Sequence, residues 1–377
     1  MSARRTTSGS DLRWETSLLL TVTAIMVAFG IANTYSASSF IAAGETGAGF
    51  AMRQFSGAVA GGLLLSILVR VDYHVWQRWA WPLLVVTIGF LVVPLLPFTE
   101  GIAPRINGAR RWISVGPVGF QPSEVAKLTT VFWCAMLAAK KGDQIRRFGK
   151  GVGPFMVVLG LISLLILLEP NLSMATLVAL LGGVVLFAAG AKLGHFLVVG
   201  VVGILLVIQQ IGSVDYRLAR TLSFFNPGEG SSEVAYQVHQ SLLGMGSGGL
   251  LGVGFGQGHQ KLGYLPFAYS DFLFASIGEE WGFLGVTVVV VLYAVFLWLG
   301  FNIARTARDA FGTYLAAALT AGIGITAVLH MAVTLDVMPT TGLPLPFMSY
   351  GRTSLVMALA ATGIIVNVAR QRTGTRR

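Results

Sequence analysis

Charge is scarce in this chain: Asp, Glu, Lys and Arg make up 11% of its 377 residues, against ~25% in ordinary soluble domains. So few charges can neither cover a water-facing surface nor keep a chain extended in solution, so a conventional soluble fold and intrinsic disorder are both excluded. Cysteine is nearly absent. Cys134 is the single one and sits in an apolar run, so an intrachain disulfide is impossible; it says nothing about redox compartment. No set of His, Cys and Asp has metal-ligand spacing, which argues against a zinc site built by the protein. No G-x-S-x-G nucleophile elbow occurs. The glycines between Gly244 and Gly258 lack the strand-turn-helix setting of a dinucleotide site, and no Walker lysine follows them.

What the chain has instead is apolar length. Apolar residues form 54% of it and mean hydropathy is +0.74, enough for about ten membrane spans of ~20 residues. Backbone groups in hydrocarbon must bond within their own segment, so these runs are expected to be helices. The spans fall near 17–39, 53–71, 79–98, 122–140, 152–168, 171–190, 193–211, 272–303, 312–335 and 351–369. The expected fold is an all-α polytopic membrane protein. A polar tail covers 1–16, a transmembrane domain 17–369 and a short tail 370–377, with a large loop at 212–270 between the seventh and eighth helices. The first run exceeds a signal-peptide core and is taken as an uncleaved anchor. Only Glu169, Pro170 and Asn171 separate the fifth and sixth spans, a tight turn at one membrane face. Glycine is frequent, at 47 residues, and much of it lies inside apolar runs, where small side chains let helices approach closely. Neither an internal repeat nor a soluble catalytic domain is evident.

The net charge of +10 would suit a nucleic-acid partner only if it were gathered in one region. It is scattered over short loops at span ends. Seventeen Lys and Arg fall on the side of the termini, including Arg4, Arg5, Arg13, Lys140, Lys141, Arg146, Arg147, Arg376 and Arg377. Eight fall on the other side, namely Arg53, Arg105, Arg110, Arg111, Arg217, Arg220, Lys261 and Arg352, with Lys127 inside a span. The positive-inside rule therefore places both termini in the cytoplasm, and no nucleic-acid partner is expected. The connections 99–121 and 212–270 then face outward, and loops of the second one's length usually carry function. Within it Val234, Ala235, Val238, Leu242 and Met245 recur at helical spacing, predicting a short amphipathic helix on the membrane surface.

Ionisable residues inside or at the rim of an apolar bundle are costly, and each asks for a reason. Asp271 opens the eighth span directly after the long loop, where it is placed to act as a general base on a lipid headgroup hydroxyl; by spacing alone, a helix N-terminal carboxylate held by the helix dipole is the more ordinary reading. Glu124 and Lys127, three apart on the fourth span, share a face and can pair, either structurally or toward a substrate. Arg110 and Arg111, next to Trp112, form a fork-like cationic site suited to phosphate or diphosphate, although Trp112 is also a natural interfacial anchor. Arg220 and Lys261 add outward cations. Of Glu279 and Glu280, one is expected to face the bundle and pair, with an arginine as its natural partner, and the other to near the lipid boundary. His330 in the ninth span fits a proton relay or a hydrogen-bonded core histidine. Pro339, Pro344 and Pro346 with Gly342 and Gly351 exclude a regular helix over that segment, and irregular backbone at a membrane must line a cavity or be buried in protein. These residues leave a transporter and a membrane-embedded transferase equally open.

At the same positions the chain resembles the SEDS family of bacterial shape, elongation, division and sporulation proteins (FtsW, RodA, SpoVE). The resemblance rests on Asn107-Gly108-Ala109-Arg110-Arg111-Trp112-Ile113, Gln121-Pro122-Ser123-Glu124 with Lys127, and Tyr236-Gln237 with Gln240-Ser241. It continues through Gly246 to Leu250, Gln260-Lys261-Leu262, Ser270-Asp271-Phe272, Glu279-Glu280 and Pro344-Leu345-Pro346-Phe347-Met348-Ser349-Tyr350-Gly351. The Gln260-Lys261 pair and the final segment look closer to the FtsW and SpoVE branches than to RodA. The resemblance implies a peptidoglycan glycosyltransferase of the cytoplasmic (inner) membrane that polymerises lipid II at its outer face during cell division or cell-shape maintenance. Asp271 would activate the acceptor 4-hydroxyl for inverting attack on the anomeric carbon that bears undecaprenyl diphosphate. It implies Arg110, Arg111, Trp112, Glu124, Lys127, Arg220, Gln237, Gln240, Lys261 and Ser349 as substrate contacts. It also implies a class B penicillin-binding protein as partner, alongside other division or elongation proteins and membrane lipids. No cofactor is implied, and a divalent cation is left open.

The chain departs from the family pattern at Phe267, Tyr269 and Ser270 just before Asp271, at Asn171 in place of an aspartate, and at Arg352 in place of a glycine. Two rival readings use the same charges without new glycosidic bonds: a lipid II flippase or other transporter, and a non-catalytic scaffold of the division machinery.

Overall fold

The computed structural model describes residues 9–40, 47–106, 108–116, 118–212, 218, 221, 224 and 233–372. The helices are α1 (Gly9–Ala37), α2 (Gly47–Leu68), α3 (His74–Val92), α4 (Pro122–Lys141), α5 (Gly153–Leu168), α6 (Leu172–Ala188), α7 (Leu193–Gly212), α8 (Glu233–Ser247), α9 (Leu273–Arg305), α10 (Ala310–Thr334) and α11 (Arg352–Gln371). A helix therefore stands at each of the ten apolar runs, and α8 adds one inside the long loop. Among the described residues, eight of these helices are long and apolar enough to cross a membrane. Of the other two runs, α6 is apolar but has 17 residues, and α4 carries Glu124, Lys127, Lys140 and Lys141. One two-stranded antiparallel hairpin, β1 (Ile113–Val115) and β2 (Val118–Phe120), lies between α3 and α4.

α10 packs against α4, α6, α9 and α11 and forms the middle of the bundle, while α2 lies along α11 and α1 along α9. The α2 and α11 backbones come close because Gly61 and Gly363 present no side chain: a Cβ on Gly61 would stand 2.6 Å from Leu359, and one on Gly363 2.9 Å from the Leu65 carbonyl. α7 is different. It has no buried residue and touches the bundle through α6, with Phe196 edge-on to Phe187. A helix that is apolar all round is at home only in hydrocarbon.

The end of the bundle where α1 begins and α11 finishes is tied by polar contacts. Arg372 pairs with Glu15 at 3.0 Å and donates to the Asn302 carbonyl; Tyr73 and His74 bond to Asp309, the N-cap of α10. The opposite end holds Asp271, Arg110, Arg111, Lys261 and the segment 339–351.

The run that forms α9 conceals a break. Gly282 has φ 61° and ψ −161°, a conformation open essentially to glycine. In an unbroken helix the amides of Phe283 and Leu284 would bond to the carbonyls of Glu279 and Glu280. Here those amides donate to Gly249 O (2.9 Å) and Leu250 O (3.2 Å), and the freed carbonyls accept from Val253 N (3.0 Å) and Gly254 N (3.1 Å). Two helical hydrogen bonds are thus exchanged for four bonds to the glycine-rich loop, and none of these backbone groups is left orphaned.

The short helix expected within the long loop is present as α8 (Glu233–Ser247). It packs on α9, and its buried positions are Ser241, Gly244 and, just beyond its end, Gly248, flanked by Val238 and Met245. Leu242 is on the exposed side. Ser241 donates to the Thr334 carbonyl of α10 (2.8 Å), and Gly248 faces α9 where the backbones touch: a Cβ there would stand 2.0 Å from the Gly278 carbonyl.

Candidate functional site

Asp271 stands in a turn, one residue before the N-cap of α9, which is Phe272. The turn is drawn together by the Phe267 carbonyl, which accepts from Ser270 N and Asp271 N at 3.0 Å each. Phe267 itself has φ 56°, a strained conformation for a bulky residue that costs of order 1–3 kcal/mol and is typical of functional sites. Across from the Asp271 carboxylate lies the proline-bearing segment: a Cβ on Gly342 would stand 4.0 Å from Asp271 Oδ2.

That segment, non-helical as expected, is locked in place by its own polar groups. Ser349 Oγ accepts from Leu345 N (3.0 Å), and its carbonyl accepts from Gln54 Nε2 (2.9 Å). Gln54 Oε1 accepts from Gly351 N (3.1 Å), and Tyr350 N donates to the Tyr269 carbonyl (3.0 Å). The rings of Phe50, Tyr269 and Tyr350 cluster with centroids 4.8 to 5.6 Å apart, and Arg53 lies over Phe50. His330 settles into the structural role: it is buried, with Nδ1 bonded to the Leu343 carbonyl at 2.9 Å. A carbonyl only accepts, so Nδ1 carries the proton. Ser349 likewise is buried and spends its hydroxyl inside the segment.

Glu124 and Lys127 do pair, at 2.7 Å, on α4. Lys127 borders a cavity of about 50 Å³ in the bundle, with Thr326, Ser354, Leu319 and Pro346 among its walls. The segment 339–351 therefore runs past Asp271 at Gly342 and borders this cavity at Pro346, so one stretch of chain lies beside both sets of charges.

The two arginines do not form the expected shared fork. Arg110 Nε donates to Ala103 O (3.1 Å) and a terminal nitrogen to Leu96 O (3.0 Å) and Thr99 Oγ1 (2.9 Å), so it organises the 96–110 loop. Arg111 Nε donates to Glu169 O (2.9 Å) and a terminal nitrogen to Pro170 O, so it ties that loop to the α5–α6 turn. Loop carbonyls compete for guanidinium donors wherever backbone lacks secondary-structure partners. Trp112 is half-buried between Arg111 and β1.

Lys261 is also not an outward cation. Its Nζ is buried, 2.9 Å from Glu280 Oε1 and 2.9 Å from Ser36 Oγ, and Ser36 donates to Glu280 at 2.6 Å. Glu279 accepts from the amides of His259 (2.7 Å) and Gln260 (3.3 Å). Both glutamates are buried, against the expectation that one would near the lipid, because the glycine-rich loop wraps the helix face that carries them. The partner of Glu280 is a lysine and not an arginine. Gln237 and Gln240 lie half-buried on α8, one turn apart. Arg220 lies outside the described residues. Among the described residues no group of three His, Cys, Asp or Glu is placed to hold a metal ion.

Ser36, Phe50 and Gln54 were not singled out from the sequence, although Gln54 inside an apolar span carried a usable signal, since intramembrane polar residues are rare and placed for a reason.

Residues 16–374 match the family of cell cycle proteins that groups FtsW, RodA and SpoVE. The chain belongs to that family. It is 40% identical over 358 residues to a probable peptidoglycan glycosyltransferase FtsW of Trichlorobacter lovleyi, covering 94% of this chain and 93% of that one. It is 36% identical to the stage V sporulation protein E of Bacillus subtilis, covering 94% and 96%. Among solved structures it is similar to a chain of a peptidoglycan synthase complex that coordinates polymerization and crosslinking. There the TM-score is 0.78 at 28% identity, over 94% of this chain and 98% of that one. The rod shape determining protein RodA of Thermus thermophilus is similar at TM-score 0.69 and 28% identity, over 94% and 96%.

The departures from the family pattern have local explanations. Asn171 is the N-cap of α6 and accepts from Met174 N at 3.3 Å, a role asparagine and aspartate fill equally well. Tyr269 completes the aromatic cluster. The stem of Arg352, the first residue of α11, packs over Gly57 of α2, where a Cβ would stand 3.3 Å away.

Proposed function

We propose that this chain is a peptidoglycan glycosyltransferase that polymerises lipid II at the outer face of the cytoplasmic membrane, with Asp271 as general base. The observation that carries this reading is the placement of Asp271, in a strained turn at the bundle mouth and facing Gly342 of the segment that also walls the Lys127 cavity. The names of the relatives and the SEDS motifs support the substrate.

In the proposed step the Asp271 carboxylate takes the proton of the acceptor sugar's 4-hydroxyl. The oxygen attacks the anomeric carbon of the donor, the bond from that carbon to the diphosphate breaks, and undecaprenyl diphosphate leaves with the electron pair and its own negative charge. Arg110 and Arg111 hold the outer wall, and what they offer the departing diphosphate is fixed positive charge beside the site more than free N–H donors. Both termini are placed in the cytoplasm and α4 and α6 are counted as crossings, giving ten. A class B penicillin-binding protein is the proposed partner, supported by the synthase complex to which the fold is similar. The cavity of about 50 Å³ beside Lys127 has room for a few waters.

The test is polymerisation of labelled lipid II by the purified chain, with and without its cognate transpeptidase, followed on gels. Asp271→Asn is expected to lower the rate by about 10²–10⁴-fold, the usual contribution of a general base, with helix content unchanged. An undiminished ladder of glycans from that variant removes Asp271 from the role. Movement of intact lipid II across vesicles without longer glycans would favour the flippase reading.

A further inference from the structure

The loop that repairs the α9 break exposes an apolar edge of its own. Leu250 and Leu251 are 65% and 72% exposed, and Val253 and Phe255 are exposed as well. They adjoin Phe283 and Leu284, 62% and 51% exposed, because the carbonyls of Gly249 and Leu250 bond to the amides of those two residues. Below them the outer face of α9 continues with exposed Val288 and Val291. Phe255 also touches Trp281, whose indole Nε1 donates to Asn33 Oδ1 at 3.0 Å.

We propose that residues 248–256 form a re-entrant hairpin whose Leu250, Leu251, Val253 and Phe255 edge lies in the hydrocarbon of the membrane, with phospholipid acyl chains as its partner. Three observations carry this. The hairpin meets α9 at Gly282, nine residues after Leu273, about 14 Å along the helix at 1.5 Å per residue and thus below its membrane-facing start. Its backbone is satisfied where it meets the helix: the Gly249 and Leu250 carbonyls and the Val253, Gly254 and Gly256 amides all bond to α9, the condition for non-helical chain to exist at that depth. No charged residue occurs from Gly248 to Gly258, and the patch continues onto the exposed face of a membrane-spanning helix, where Thr287 spends its hydroxyl on the Phe283 carbonyl (2.8 Å). A water-facing loop would not combine these features.

The experiment uses the full chain in phospholipid nanodiscs, with Cys134→Ser as background because Cys134 is the one native cysteine. Nitroxide labels are attached at Leu251→Cys and, independently, at Leu250→Cys. Val288→Cys on the α9 face serves as the hydrocarbon reference and Glu100→Cys, in the exposed 96–110 loop, as the water reference. Collision rates with oxygen and with a soluble nickel chelate are read by power saturation. The proposal expects the oxygen-to-nickel ratio at both loop positions to match Val288→Cys and to exceed Glu100→Cys severalfold. Nickel access equal to that at Glu100→Cys places the loop in water and overturns it. Low access to both reagents means that protein covers the edge, a second copy of the chain in this preparation, and also overturns it. None of these outcomes depends on the polymerase reading.

Discussion

At Glu169, in the turn between α5 and α6, burial and a neighbouring charge oppose each other. Its carboxyl is 1% exposed and makes no hydrogen bond among the described residues. Burial pushes its pKa up to about 8, and the Arg111 guanidinium beside it pulls only partly the other way. The native state thus holds a proton that the unfolded chain releases near the ordinary carboxylate range. Stability must then fall as pH rises from there through about 8, since over that window the folded form binds more protons. Glu169→Gln, always neutral, is expected to flatten that slope: thermal midpoints in detergent between pH 5 and 8 converge for the variant and decline for the wild type. Asp271 and Glu169 were both visible as acids at span ends. That one faces the mouth of the bundle while the other is sealed under Arg111 follows from where two loops cross, which no local pattern encodes.

At the scale of elements, α9 and the loop before it behave as one unit. Gly282→Ala forces a Cβ to 2.3 Å from Gly252 N at a φ of 61°, so either the helix straightens or the loop is displaced. The expected cost is ~1–3 kcal/mol for the backbone conformation alone. The thermal midpoint is expected to drop, and the Val253 and Gly254 amides to exchange with deuterium faster. Gly62→Ala in α2, where a Cβ meets nothing within 4 Å, is the control and is expected to be neutral or to stabilise by about 0.5–1 kcal/mol. The spans themselves were legible because hydrophobic length is a one-dimensional property. The break was not, because an apolar run with a glycine looks the same whether or not another segment arrives to take over its hydrogen bonds. α8 shows the complementary case: helical spacing announced the helix, but its packing face is set by Ser241, Gly244 and Gly248, whose virtue is their lack of bulk.

Across the whole molecule, charge and polar contacts separate into two ends. The Glu15–Arg372 and Tyr73–Asp309 contacts tie one; Asp271, the arginine-braced loop and the 339–351 segment make up the other. On the proposed orientation, with both termini in the cytoplasm, green fluorescent protein fused after Arg377 is expected to fluoresce in cells. Alkaline phosphatase inserted into the 212–270 loop is expected to be active, as only exported phosphatase folds. The reverse pattern would invert the molecule and put Asp271 on the wrong side for an outward-facing substrate. The peripheral α7, which has no buried residue, and the central, largely buried α10 are both apolar enough to cross a membrane, so their different places are a property of the assembled bundle.

By itself the sequence determined that the chain is a helical membrane protein of the SEDS kind, roughly where its spans lie, that Glu124 and Lys127 pair, and that Asp271 stands at the start of a span. Each of these depends on neighbours within a few residues or on composition. Tertiary structure alone decided that Arg110 and Arg111 brace loops separately, that Lys261 is buried against Glu280 and Ser36, and that Gly342 meets Asp271. Those outcomes hang on contacts between residues up to 244 positions apart, as for Ser36 and Glu280, and a buried charge or a freed carbonyl takes whichever partner the packing delivers.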